Sequence, residues 1–187
     1  MKIQADFLLA LRKWADENGA LLVFDEVVTF RSEFAGAQSW YDCKPDLTAI
    51  GKAIGGGFPV GALAGRAEVM DVMNPLADKV LFPHSGTFSA NPITMVAGLT
   101  SMQLFDEAAV KRLNALTDRT VKGLEAAIAR TGVTACVTGG GSMFRVHFKE
   151  HAPRNYRETY ASAEENRMVN LQLDHMFESG FMMINTC

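Results

Sequence analysis

Three short segments carry side chains that could do chemistry. The first is an apolar run, residues 20–24 (ALLVF), that ends in Asp25 and Glu26. A carboxylate placed straight after a buried strand costs free energy unless it meets a strong partner. That partner is either a cationic group of a ligand or, in the plainer reading, the amides of its own loop, and taken alone most strand-end acids are structural. The second segment holds Lys52, between Gly51 and the cluster Gly55, Gly56 and Gly57. A lysine drawn into a low-dielectric site loses proton affinity and becomes a nucleophilic amine; taken alone, a surface lysine with its stem laid on apolar atoms is the commoner case. The glycines favour the first reading, because they let backbone approach a flat ligand closely. The third segment is His84, Ser85, Gly86 and Thr87, shortly before Asn91. Small hydroxyl residues and exposed amides make a seat for phosphate, and equally a capping loop.

These segments need elements to hold them. Phe7, Leu8, Leu11, Trp14 and Ala15 recur at helical spacing, with Gly19 as the stop. Residues 20–24 read as a strand buried on both faces of a parallel sheet. Residues 47–50 read as a second strand leading into Lys52, and residues 60–64 as a third. Asn91-Pro92 starts a helix, Asn as cap and Pro in the first turn, with Ile93, Val96, Ala97, Thr100 and Leu104 on one face. Asp106 caps the next helix, whose stripe is Val110, Leu113, Thr117, Val121, Leu124 and Ile128, ending at Gly132. Residues 133–137 and the alternation of Phe144, Val146 and Phe148 read as strands, joined by a turn at Gly139, Gly140 and Gly141. His147 falls on the polar face of the second. A last helix buries Val169, Leu173 and Met176 and ends at Gly180, and residues 181–184 open another strand.

Composition removes several function classes. Hydrophobic residues make up 48% and charged residues 21%, enough for a folded core. The net charge is −3 with no basic block, which argues against a nucleic-acid binder. No apolar run approaches a membrane span, and the first residues lack a signal-peptide pattern, so the cytoplasm is the expected compartment. Cys43, Cys136 and Cys187 have no metal-ligand spacing and read as free thiols in a reducing compartment; no metal site is expected. A nicotinamide site at residues 55–57 fits poorly, because the spacing is not G-x-G-x-x-G and no helix clearly starts there.

The stretches LLVFDEVVTFR, GAQSWYDCKPDLTAIGKAIGGGFPVGALAGR and HSGTFSANPITMVAG, running almost continuously from residue 21 to 98, resemble the class III aminotransferases of pyridoxal phosphate (PLP) fold type I. Within these, the likeness points to the glutamate-1-semialdehyde aminomutase-like and β-amino-acid aminotransferase branch. The resemblance implies an α/β fold: a PLP-binding large-domain portion with a parallel-rich sheet over residues 1–105, then an incomplete α+β small domain over 106–187. It implies that Asp25 pairs with the cofactor's ring nitrogen, that Val27 covers one face of the ring, and that Lys52 forms the Schiff base and moves the proton. Thr87, with Ser85 and Gly86 beside it, would reach the phosphate in the partner subunit's site, so a homodimer with shared active sites is implied.

The chain departs from the family at several points. Relatives are about twice as long, so a fragment lacking the main phosphate loop and the ring-stacking aromatic is expected, one that alone binds PLP poorly and turns over slowly or not at all. Phe30 stands where the family often has glycine, and Val28 where some relatives have a polar group near the cofactor. Amino-group transfer between molecules is the leading expectation. The alternatives are the intramolecular transfer of an aminomutase and a non-catalytic dimerising fragment.

Overall fold

The computed structural model describes residues 3–184, so Cys187 lies outside the described residues. The chain forms two compact units, Ile3–Lys111 and another from Arg112 onward.

The first unit opens with helix α1, Ala5–Asn18. It stops where Gly19 turns left-handed at φ 61° and donates its N–H to the Ala15 carbonyl. Its buried face is narrower than the apolar spacing predicts: Leu8 and Ala15 are buried, whereas Phe7 and Trp14 are exposed. Strands β1 (Val23–Asp25), β2 (Leu47–Gly51) and β3 (Gly61–Gly65) form one sheet in the order β1-β2-β3. β1 runs parallel to β2, with Asp25 opposite Ala49, and β3 runs antiparallel to β2, with Gly51 opposite Gly61. β1 is not buried on both faces as its composition predicts, since Val23 is 51% exposed. Among the described residues β1 lies at the edge of the sheet, hydrogen-bonded to β2 alone.

Asp46, just before β2, is buried and ties the starts of these elements together. Its carboxylate accepts hydrogen bonds from the Leu22 amide at 2.7 Å, from Arg12 of α1 at 2.7 Å, and from Arg66, the residue after β3, at 2.7 Å. The Leu22 amide, then the two guanidinium groups, hold this carboxyl far below the usual carboxylate range.

A short helix α2, Ala67–Met70, and an exposed stretch containing Leu76, Leu81 and Phe88 lead to α3, Pro92–Leu104. The Asn91 side chain accepts from the amides of Ile93 and Thr94, as an N-cap should, and Pro92 occupies the first turn. The buried face of α3 is rotated from the expected one and shares only Ala97 with it, which is half-buried. Thr94 and Gly98 are buried, while Ile93, Val96 and Leu104 are exposed. Close backbone approach decides this: the small side of the helix lies on the turn after β2.

Helix α4, Glu107–Thr131, begins at Asp106, whose Oδ1 accepts from the Ala109 amide at 2.8 Å. Its expected stripe holds, with Val110 and Thr117 buried and Leu113, Val121, Leu124 and Ile128 half-buried. In the second unit β4 (Cys136–Gly140) and β5 (Met143–His147) pair as an antiparallel hairpin. Gly139 and Gly140 belong to β4, so the turn is Gly141-Ser142 alone, with Gly141 at φ 58°. His147 is buried, not on a polar face, and its Nε2 lies 2.8 Å from the Thr138 hydroxyl. A single turn, α5 (Tyr156–Thr159), precedes α6, Ala163–Glu178. Helix α6 starts with a reciprocal cap between Ser162 and Glu165, and its inner face is Val169, Leu173 and Met176. Residues 181–184 are not a strand.

Candidate active site

β1 and β2 are parallel neighbours, so their C-terminal ends lie on the same side of the sheet, where open α/β sheets bind ligands. Asp25 closes β1 and Lys52 follows β2 directly. From the pairing of Asp25 with Ala49, strand spacing and rise bring the Cα atoms of Asp25 and Lys52 to within roughly 11 Å.

Successive side chains alternate across a strand. Asp25 is accordingly exposed and Glu26 is turned inward, 2% exposed. Asp25 Oδ1 accepts from the Val27 amide at 3.0 Å, which steadies the carboxylate at the strand end. The Val27 side chain lies over Gly51: a Cβ there would sit 3.5 Å from Val27 Cγ1 and 3.2 Å from the Val60 carbonyl oxygen. A side chain at position 51 would press on the Val60 carbonyl and rest against Val27.

Lys52 has φ 50°, in the left-handed region that a lysine rarely adopts. It begins a 3-10 turn, Lys52–Gly55, which Gly56 closes at φ 58°. Residues held at such angles persist when their surroundings over-determine them, and they cluster at functional sites. Here the surroundings are α3. A Cβ on Gly98 would collide with the Ile54 carbonyl, and one on Gly56 would collide with the Ala97 carbonyl. The Ser101 hydroxyl donates to the Ala53 carbonyl at 3.4 Å. The Lys52 side chain is exposed, at the mouth of the β1/β2 end.

Ser85, Gly86 and Thr87 are exposed and lie on a separate segment. The Ser89 amide donates to the Gly86 carbonyl at 2.9 Å, and Ser89 Oγ lies 3.4 Å from His84 Nε2. Ala90, which closes this segment ahead of the Asn91 cap, also has positive φ, 52°. The structure therefore brings Asp25, Val27 and Lys52 to one sheet end, and leaves Ser85, Gly86 and Thr87 in an exposed loop.

The sequence leaves Glu26 as an acid that orients its loop or serves the structure, without naming its partners, and gives no sign of the part played by Asp46. The signal for both is an acid flanking a predicted buried strand with a basic or amide-rich loop to receive it. Their partners are distant in sequence and became visible only in the fold.

Residues 1–178 match the family model of the class-III aminotransferases. The chain belongs to that family. It is 37% identical over 190 residues to the glutamate-1-semialdehyde 2,1-aminomutase of Nitrosospira multiformis, covering 96% of this chain and 44% of that protein. Among solved structures, an omega-transaminase from Sphaerobacter thermophilus superposes with a TM-score of 0.93 at 42% identity, over 98% of this chain and 42% of the other. A transaminase solved with PLP bound gives 0.85 at 33% identity, over 98% and 42%. This class-III chain thus spans less than half the length of the relatives it matches.

The donor set suits PLP. A carboxylate at one strand end answers a ring nitrogen, an amine at the next answers an aldehyde, and a branched apolar side chain lies between them over a glycine. Among the described residues no cluster of three metal-ligating side chains occurs, and no helix is long and apolar enough to cross a membrane.

Proposed function

We propose that the protein holds PLP across Asp25, Val27 and Lys52 and transfers amino groups between small molecules. The observation that carries this reading is the parallel register that sets Asp25 and Lys52 at neighbouring strand ends, with Val27 over Gly51. Bound there, PLP supplies the electron sink that lets an amino-acid substrate give up a carbon-bound proton. Asp25 holds a proton at the ring nitrogen by charge attraction. Val27 covers one ring face and excludes water from it. Lys52 would hold the cofactor by its aldehyde, and its freed amine would carry the proton taken from the substrate's carbon and return it.

Ser85, Gly86 and Thr87 hold phosphate, and we assign them to the cofactor of a partner subunit in a homodimer with shared sites. Support comes from their exposure, and from the exposed apolar side chains of α3 that follow them. Residues 1–105 would be the cofactor-binding large-domain portion and 106–187 the small domain.

The test is borohydride reduction of the purified protein in the presence of PLP, followed by peptide mapping. Lys52 carries the label in the wild type, and Lys52→Ala shows none. Absence of label on Lys52 in the folded protein would defeat the proposal. The likeness to an aminomutase supports a second reading, amino transfer within one molecule. Assays of ω- or β-amino acids with pyruvate or 2-oxoglutarate, run beside glutamate-1-semialdehyde, separate the two.

A further inference from the structure

Glu26 is the buried acid that the proposed chemistry does not use. It lies between the two residues assigned to the cofactor, and strand alternation turns it to the opposite face. Its backbone is clamped from both sides, with the N–H donating to the Ala49 carbonyl of β2 at 2.8 Å and the carbonyl accepting from the Phe30 amide at 2.9 Å. Its carboxylate accepts from the Thr29 hydroxyl, from the Ala37 amide at 3.2 Å and from the Gln38 amide at 2.6 Å. Gly36, at φ 80°, passes so close that a Cβ there would sit 3.0 Å from Glu26 Oε1. Two amide donors and a hydroxyl on a buried side chain call for an acceptor at both oxygens. An isosteric amide supplies only one, and turns its own N–H toward a donor.

We propose that Glu26 is a positioning residue: its carboxylate, by gathering Thr29, Ala37 and Gln38, fixes the turn on which Asp25 and Val27 meet the cofactor ring. The inference rests on the PLP reading above and adds to it the residue that sets the ring contacts. Loop 29–38 folds onto Glu26, Glu26 is pinned to β2 by its own N–H, and β2 delivers Lys52. The carboxylate thus gathers the loop, and the main chain of the same residue ties that loop to β2.

The experiment compares the wild type with Glu26→Gln and Glu26→Asp in three measurements: amide hydrogen exchange without cofactor, PLP titration, and borohydride labelling of Lys52. In Glu26→Gln, exchange at Val27, Ala37 and Gln38 speeds up about tenfold or more, while β2 and β3 keep their protection. PLP binds about tenfold more weakly, because Asp25 and Val27 must be ordered on binding at a cost of the size of one such hydrogen bond. Lys52 is still labelled at saturating cofactor, and Glu26→Asp, which keeps the charge, recovers part of the affinity. A merely structural role would lower the melting temperature yet leave PLP affinity and the pH profile of the bound cofactor's absorbance as in the wild type; that result overturns the proposal. Unchanged exchange at Val27, Ala37 and Gln38 overturns it too, whether or not cofactor binds. Failure of the wild type to label at Lys52 sinks the aminotransferase reading instead, and exchange still decides the clamp. Should Glu26→Gln not fold, Thr29→Val deletes one donor and no charge: weaker PLP binding supports the proposal and wild-type binding refutes it.

Discussion

Asp25 and Glu26 are consecutive acids with opposite surroundings. One faces out at a strand end with a single amide bond, and the other is enclosed by three donors. Replacing Asp25 with Asn removes the charge that would hold a proton on the ring nitrogen. Its expected effect is a PLP dissociation constant about 10- to 100-fold higher, the value of a charge-assisted hydrogen bond, read by cofactor absorbance titration. The cofactor roles of Asp25, Val27 and Lys52 came from the family resemblance of residues 21–98, since residue type alone favours a structural acid and a surface lysine. The inward turn of Glu26 follows from strand period alone, but its donors lie up to twelve residues away and could not be assigned. His147 was misplaced for a related reason. Its alternation with apolar neighbours gave the strand correctly but not the burial, which depends on what covers that face. Burial, then Arg145 and Lys149, lowers its proton affinity. The unfolded chain takes up a proton near pH 6.5 that the fold resists, so stability is full above about 6.5 and falls as the pH drops below it. Thermal melts at pH of about 8 and about 5.5 should show this fall, and His147→Gln should flatten it.

At the scale of elements, the order and type of helices and strands were readable, but which face is inside was not always so. On α4 the apolar stripe and the buried stripe coincide. On α3 the buried face is turned away from the apolar one, because Gly98 and Gly56 allow main chain to meet main chain at the Lys52 turn, and contact at that distance outweighs side-chain polarity. Gly98→Ala forces the Ile54 carbonyl aside. The expected cost is about 1–3 kcal/mol, as for overpacking elsewhere, seen as a lower denaturation midpoint. Asn91→Ala removes the α3 cap and costs about 1 kcal/mol, without touching the Lys52 turn. The Asp46 cluster joins α1 and the starts of β1 and β2 to the end of β3. Its carboxyl is held well below its ordinary value, so its contribution is present above the usual carboxylate range and is lost as the pH falls below it. Asp46→Asn should shift the acid-denaturation midpoint toward neutrality, followed by circular dichroism.

At the scale of the whole molecule, the apolar residues left uncovered include Ile93, Val96 and Leu99 on α3 and Phe88 ahead of it. Exposed apolar patches of this kind mark association. Light scattering against concentration should report a mass above 20.4 kDa for the folded chain, and charged substitutions at Ile93 and Val96 should lower it.

The backbone at Lys52 carries a handedness its neighbours do not. Mirror-image amino acids prefer the very region in which this residue is held. A semisynthetic protein with D-lysine at position 52 would rest there without torsional penalty, yet send its amine to the other side of the main chain. Such a protein should melt no lower than the natural one and fail to capture an aldehyde, separating the comfort of the turn from the direction in which it aims.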